Sequence, residues 1–413
     1  MDTARGACVR RLPLVSGVRQ AERINHEMTV HVVDSVDLQL ARDIEHDPFE
    51  AFEAHVDLDP FWAKEGDFYE GGFWVIGKFG QCREMLQDAE TFQSEVFTEE
   101  PLLPSFAQPP ELQKLRQVLL PLLSRKKTVE AEGRVRELAN LYIDGFANSG
   151  SCDLVADFAQ HFPIAVFAEL YGIAEDRRAE FRQLAEKYLH SFGAERDNAW
   201  EAIRVIVRGE LAERRGDPRG DLLSGIANGE IDGAPIDMKI CVNLAATVFL
   251  GGLDTLPSAL GWTFRFLATH EDARRRVVER PASVPVMVEE FLRLYPVVAK
   301  ERRRLSRDVE FHGAHMKAGD RVVALLSLAN RDETEFPNSR AANFDREVNR
   351  HITFGVGPHR CLGSHLARSE LMVALQEWHR RIPDYRISDP SKIRFHGGII
   401  AMSTLPLEWE TTG

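Results

Sequence analysis

The apolar run from Cys241 to Trp262, inside the longest helix candidate of the chain, must be hidden from water by whatever fold the chain adopts. It is long enough to cross a membrane. Asn243, Asp254, the pair Gly251-Gly252 and Pro257 nevertheless make it a poor span without a bundle around it. It reads instead as a core helix beginning after Ala234-Pro235-Ile236 and running to about Thr269. Each glycine in mid-helix costs about 1 kcal/mol relative to alanine, so the pair marks close approach of something to the backbone, and a flat macrocycle would suit. Pro257 cannot donate a hydrogen bond to the carbonyl of Leu253, which predicts a kink or bulge with room for a ligand or water.

The rest of the chain reads as mainly helical. Helices are expected from Phe79 to Leu86, after Pro109-Pro110, through Val135–Phe146, Phe158–Tyr171, Ala179–Phe192 and Trp200–Leu211, and from Ser283 to Leu294, with a short one after Asp47-Pro48. Short strands are expected at Phe68–Ile76, Val309–Phe311, Arg321–Leu326, Tyr385–Ile387 and Leu405–Trp409. No linker, repeat or low-complexity tract divides the 413 residues, so residues 28–413 read as one domain, preceded by a disordered extension at 1–27. A net charge of −13 disfavours non-specific nucleic-acid binding. Five widely spaced cysteines without a Cys-x-x-Cys pair fit a reducing cytoplasm, and the Arg-rich N-terminus carries no apolar run for a signal peptide or anchor.

Chemistry concentrates near the C-terminus. In His351-Ile-Thr-Phe354-Gly-Val-Gly357-Pro-His359-Arg360-Cys361-Leu-Gly363, a turn-rich loop presents a single cysteine ahead of an amphipathic helix (Leu366, Leu371, Ala374, Leu375, Trp378). Backbone N–H groups and a helix N-terminus favour an anion there and lower a thiol pKa. The bland alternative is a free cysteine in a glycine turn.

The pattern Phe-x-x-Gly-x-x-x-Cys-x-Gly, complete here, resembles the haem-binding loop of cytochrome P450 enzymes, and Gly-Gly-Leu-Asp254-Thr255 resembles their oxygen-binding segment. Within that family the likeness is to bacterial class I members of the camphor 5-monooxygenase type. The resemblance implies a mainly α, triangular helical prism with small β regions around one haem b. Cys361 would be the iron ligand, with Phe354 and Gly251 against the macrocycle. Thr255 would hydrogen-bond dioxygen and Asp254 would help relay protons to it. Glu290 and Arg293, three apart on one helix face, correspond to a structural ion pair, though Asn343 stands where many members carry the arginine that completes it. Arg116, Arg302 and His359 correspond to propionate-binding cations, with the neighbours of Arg302 as substitutes.

Phe97, Thr247, Leu250, Val298 and Ile400 correspond to distal-pocket positions, and their apolar character implies a small hydrophobic substrate such as a terpenoid or norisoprenoid. Lys114, Arg125, Lys126 and Arg360 would border the proximal face, where an acidic 2Fe–2S ferredoxin, reduced by an NAD(P)H-dependent reductase, delivers electrons. The likeness further implies a cytoplasmic monomer. The competing readings are a haem-thiolate sensor or electron carrier without substrate oxidation, against which Asp254 and Thr255 argue, and a peroxide-driven peroxygenase.

Overall fold

The computed structural model describes residues 18–19, 31–36, 49, 60–66, 71–96, 102–191, 193–397 and 399–411. Of the expected N-terminal extension, Val18 and Arg19 are described and pair with a neighbouring strand; the rest of 1–27, and the helix expected after Asp47-Pro48 apart from Phe49, lie outside the described residues.

A mixed seven-stranded sheet forms one wall. Its strands are β1 (Val18–Arg19), β2 (His31–Val36), β3 (Phe61–Gly66), β4 (Phe73–Ile76), β5 (Phe92–Ser94), β6 (Lys300–Leu305) and β7 (Arg321–Leu325), in the spatial order β1-β2-β3-β4-β7-β6-β5. Gly71 and Gly72 take φ values of 96° and 81°, so the strand expected over 68–76 starts only at Phe73, and Phe73–Ile76 is wholly buried; residues 68–70 lie outside the described residues. β7 runs parallel to β4 and antiparallel to β6, which pairs in turn with β5 so that Ser94 lies opposite Arg303.

Eight helices position the site: α1 (Phe79–Gln87), α2 (Glu111–Leu119), α3 (Arg125–Asp144), α4 (Phe162–Tyr171), α5 (Met238–Gly251), α6 (Thr255–Thr269), α7 (Val284–Leu294) and α8 (Ser364–Arg381). The core is aromatic where α3, α6 and α8 meet. Trp378 of α8 is fully buried, with Phe264 of α6 edge-on at 4.9 Å and Phe146 at 5.3 Å. A ladder of charges holds the outer side of α8 to α3. Arg136 pairs with Glu377, Asn140 donates to Glu377 at 2.9 Å, and Arg381 reaches Asp144 at 2.6 Å.

The long apolar helix is two helices. α5 ends at Gly251 and α6 begins at Thr255; between them, Gly252 donates to Phe249 at 3.2 Å and Leu253 to Leu250 at 3.5 Å, tighter i→i−3 bonds that unwind the turn. The break precedes Pro257 by three residues. Pro257 thereby falls in the first turn of α6, where its missing N–H has no intrahelical partner to lose. The combined stretch Met238–Thr269 has the length and hydropathy of a membrane span, but Leu260, Trp262, Phe264 and Leu267 are fully buried inside the fold.

Candidate active site

The two glycines at the break serve different neighbours. A methyl group on Gly252 would lie 2.6–2.8 Å from three ring atoms of Phe167 in α4, so the close approach predicted for this pair is made by an aromatic side chain of the protein itself. Nothing lies within 4 Å of a methyl group on Gly251, and Gly251 is exposed although much of the helix around it is buried. Gly251 therefore faces open space. Thr255, the first residue of α6, donates its hydroxyl back to the Gly251 carbonyl at 3.5 Å, a long bond that leaves the hydroxyl at the edge of the same break. Asp254 is half-buried beside it, and Ser258 ties down its carbonyl at 2.8 Å.

The cysteine loop is held from several directions. Cys361 donates its amide N–H to the carbonyl of Phe354 at 2.8 Å, and Gly355 donates to Ile352 at 2.8 Å. Gly357, at φ 72°, is seated against the end of α1: a methyl group there would lie 2.6 Å from the Leu86 carbonyl oxygen. Asn330 accepts from the Ile352 N–H at 2.9 Å and donates to the Thr353 hydroxyl at 2.8 Å, while that hydroxyl donates to the Leu292 carbonyl at 2.6 Å.

Cys361 itself is accessible and lies three residues ahead of α8. The thiol pKa is raised, not lowered as the helix N-terminus suggested. Burial outweighs the stabilisation of the thiolate by the Gly363 N–H, Arg116 and Arg360. The Gly363 N–H and the charges of Arg116 and Arg360 are the groups that favour a thiolate at this position.

The cations around the loop are rearranged relative to expectation. Arg116 of α2 donates to the Arg360 carbonyl at 2.8 Å; burial lowers its pKa, partly offset by Cys361. Arg303, rather than Arg302, faces the loop. Side chains alternate along β6, so Arg303 and Leu305 are buried while Arg304 is exposed, and Arg303 is one of the two charges acting on His359. His359 Nε2 lies 3.3 Å from the Ser94 hydroxyl, and burial together with Arg303 and Arg116 pushes its pKa down to about 4. Burial and the two arginines favour the neutral imidazole of His359.

The Glu290–Arg293 pair is fully buried and bidentate, at 2.8 and 2.7 Å. Arg293 also donates to the carbonyls of Asn330 at 2.8 Å and Ser339 at 2.6 Å. The missing third partner is a composite. The backbone N–H of Asn343 donates to Glu290 at 2.8 Å, Asn349 donates its side-chain amide at 2.9 Å, and Arg346 brings its positive charge to 3.5 Å. Arg346 and Asn349 were missed in the sequence because the meander that delivers them has no helical or strand periodicity.

Of the expected pocket residues, Thr247 and Leu250 are half-buried on α5 and Val298 is half-buried ahead of β6, whereas Phe97 lies outside the described residues. Ile400 is a correction: it is 1% exposed, its N–H donates to Val297 at 2.9 Å and its carbonyl accepts from Trp262 at 3.0 Å, so it belongs to the core. The expected basic face is also thinner than its sequence. Lys114 is paired with Asp232, and Lys126 and Lys127 share Glu130 at 3.9 and 2.9 Å. Arg125 and Arg360 both act on His365 of α8, whose pKa is lowered by burial, Arg360, Arg368 and Arg125.

An accessible thiol at the end of a well-held loop, a glycine facing open space at a broken helix and a cluster of arginines fit a flat anionic macrocycle. Residues 283–380 match the family model described as Cytochrome P450. The chain is 30% identical over 365 residues to a probable cytochrome P450 127A1 of Sinorhizobium fredii, covering 86% of this chain and 88% of that one. It is 31% identical over 272 residues, covering 64% of this chain and 73% of the other, to a steroid C26-monooxygenase of Mycobacterium tuberculosis. The crystal structure of CYP101J2 superposes with a TM-score of 0.83 at 30% identity, covering 91% of this chain and 97% of that one. That of CYP101C1 gives the same TM-score at 27% identity, covering 91% and 98%. The chain belongs to the cytochrome P450 family. It has that family's fold, is a P450 monooxygenase, and its cofactor is haem b.

Proposed function

We propose that the chain hydroxylates a small hydrophobic molecule, of terpenoid or norisoprenoid character, using electrons from a 2Fe–2S ferredoxin and its NAD(P)H-dependent reductase, with Cys361 as the haem ligand. The cysteine loop carries this reading, with the Cys361 N–H bound to the Phe354 carbonyl at 2.8 Å and Gly357 seated against the end of α1. Haem b supplies the dioxygen chemistry that ends in transfer of one oxygen atom to carbon. The protein's residues supply the rest. The Gly363 N–H, with Arg116 and Arg360, favours the thiolate form of Cys361 against its burial. Arg116, Arg303 and His359 gather where the propionates would need donors, two as cations and His359 as a neutral N–H.

Thr255 and Asp254 border the break, and this is where a proton would be held and passed on. Among the described residues the Thr255 hydroxyl gives up a long 3.5 Å bond to Gly251 before turning toward a ligand. Thr247 and Leu250, on α5 ahead of the break, supply the side that orients substrate. Arg125 and Arg360, whose charges both act on His365 just past Cys361 on a chain of net charge −13, favour an acidic electron donor at that face. The protein is read as a single cytoplasmic domain acting as a monomer. Cys361→Ala tests the reading: it abolishes the red-shifted absorption of the reduced carbon monoxide complex, and retention of that band removes Cys361 as the ligand.

A further inference from the structure

A second charged cluster lies on the flank of the cysteine loop, formed by His351 at the loop's start, Glu289 of α7 and Arg368 of α8. Arg368 donates Nε and Nη2 to the two oxygens of Glu289 at 2.6 and 2.9 Å, and Nη1 to the Ser364 carbonyl at 3.2 Å. Its guanidinium carbon lies 4.5 Å from the centre of the Phe354 ring. His351 contacts the same carboxylate, Nε2 to Oε2 at 3.0 Å, while its Nδ1 accepts the Thr353 N–H at 3.3 Å. That acceptor role places the imidazole proton on Nε2, so a neutral His351 donates to Glu289. Burial works against the Glu289 charge, but the bonds from His351 and Arg368 outweigh it and hold the carboxyl at about 2.

The geometry is directional. Glu289 grips one edge of the guanidinium in its own plane, and the guanidinium lies over the ring of Phe354, whose carbonyl accepts the amide of Cys361 at 2.8 Å. A single contiguous chain of contacts therefore runs from α7 through Glu289, Arg368 and Phe354 to Cys361, separate from the bonds by which Glu290 and Arg293 hold the meander. We propose that Arg368 is a positioning residue for the Cys361 loop: clamped by Glu289, it holds Phe354, and Phe354 holds the ligand cysteine in register with the haem iron. This rests on the assignment of Cys361 as the ligand. A lysine cannot replace Arg368, because an ammonium keeps the charge but loses both the planar fork and the stacking face. A role through charge alone would survive that change.

The test uses full-length, haem-loaded protein in four forms: wild type, Arg368→Lys, Phe354→Leu and the double variant. The rate of haem loss to a scavenger protein and the position of the reduced carbon monoxide band are followed. Arg368→Lys is expected to accelerate haem loss about tenfold, the size a desolvated cation–π contact carries, and to move part of the carbon monoxide complex to the blue-shifted position of a lost thiolate bond. On the Phe354→Leu background the same change adds little, because the contact it removes is already gone. Wild-type behaviour of Arg368→Lys, or effects that multiply in full in the double variant, overturns the proposal. Should Arg368→Lys not accumulate as folded protein, Glu289→Gln, which loosens the clamp without removing it, is expected to give a smaller acceleration; no acceleration overturns the proposal. Cys361→Ala separates the two layers. If it keeps the red-shifted band, the ligand assignment fails and the clamp with it; if it loses the band while Arg368→Lys behaves as wild type, the clamp alone fails.

Discussion

Alanine substitutions at Gly251 and Gly252 are expected to act in opposite directions although the two residues are neighbours. Gly251 is the last residue of α5, where alanine gains at most about 1 kcal/mol of helix propensity, whereas Gly252 lies in the break, where that gain does not apply. At Gly252 packing decides. The new methyl group would lie 2.6, 2.7 and 2.8 Å from three carbons of the Phe167 ring, below any ordinary contact. That ring is 5% exposed and sits between Tyr171 at 5.3 Å and Phe249 at 6.3 Å, so it cannot swing aside. Overpacking of this kind costs about 1–3 kcal/mol, the destabilisation expected of Gly252→Ala. At Gly251 the methyl group meets no protein atom within 4 Å, so folding of the polypeptide is unharmed or slightly favoured. The added volume enters the space assigned to haem and its ligand, and the cost appears as weaker haem retention. Thermal melting, followed separately by far-ultraviolet circular dichroism and by haem absorbance, distinguishes the two. Gly252→Ala lowers both transitions together, whereas Gly251→Ala lowers the haem transition alone. Equal effects at both positions would refute the distinction between the two glycines.

Thr255→Ala is expected to keep consuming NADH while diverting reducing equivalents to hydrogen peroxide, and Asp254→Asn to slow turnover; unchanged coupling of NADH to product in Thr255→Ala removes the proton-delivery assignment. Removing one partner of the fully buried Glu290–Arg293 pair, as in Arg293→Met, strands a charge and is expected to cost about 3–5 kcal/mol, seen as loss of soluble holoprotein on expression. Arg360→Glu or Arg125→Glu is expected to raise the ferredoxin concentration needed for half-maximal turnover without altering the substrate-induced spin shift, and salt is expected to do the same; if neither does, the electron donor docks elsewhere.

Acid stability turns on a buried neutral histidine. His379 accepts from the Tyr385 hydroxyl at 3.2 Å and donates to the Leu375 carbonyl at 2.7 Å, and burial pushes its pKa down to about 4 from 6.5. The unfolded chain therefore binds the extra proton first, so this contribution is intact above pH 6.5 and lost as pH falls toward 4, by ~3 kcal/mol in all. His379→Gln should flatten the stability profile, measured by denaturant titration, within that window.

Much of this protein was legible from local pattern. The turn glycines around Cys361, the start of α2 after Pro110 and the break in the long apolar helix all follow from what single residues permit the backbone to do, and such constraints act within a few positions of the residue that imposes them. The tertiary structure decided what depends on a partner distant in the chain. Strand pairing turns Arg303 inward and makes Ser94 its neighbour, a choice between adjacent arginines that no local rule makes. The packing of α4 divides two consecutive glycines between an aromatic ring and an open space. Ile400 is in the core because Val297 and Trp262 bind its backbone, and the thiol of Cys361 is raised because desolvation, set by everything that surrounds it, exceeds the pull of the N–H and arginines nearby. Burial and charge are sums over all neighbours in space, and the chain order records only a few of those neighbours.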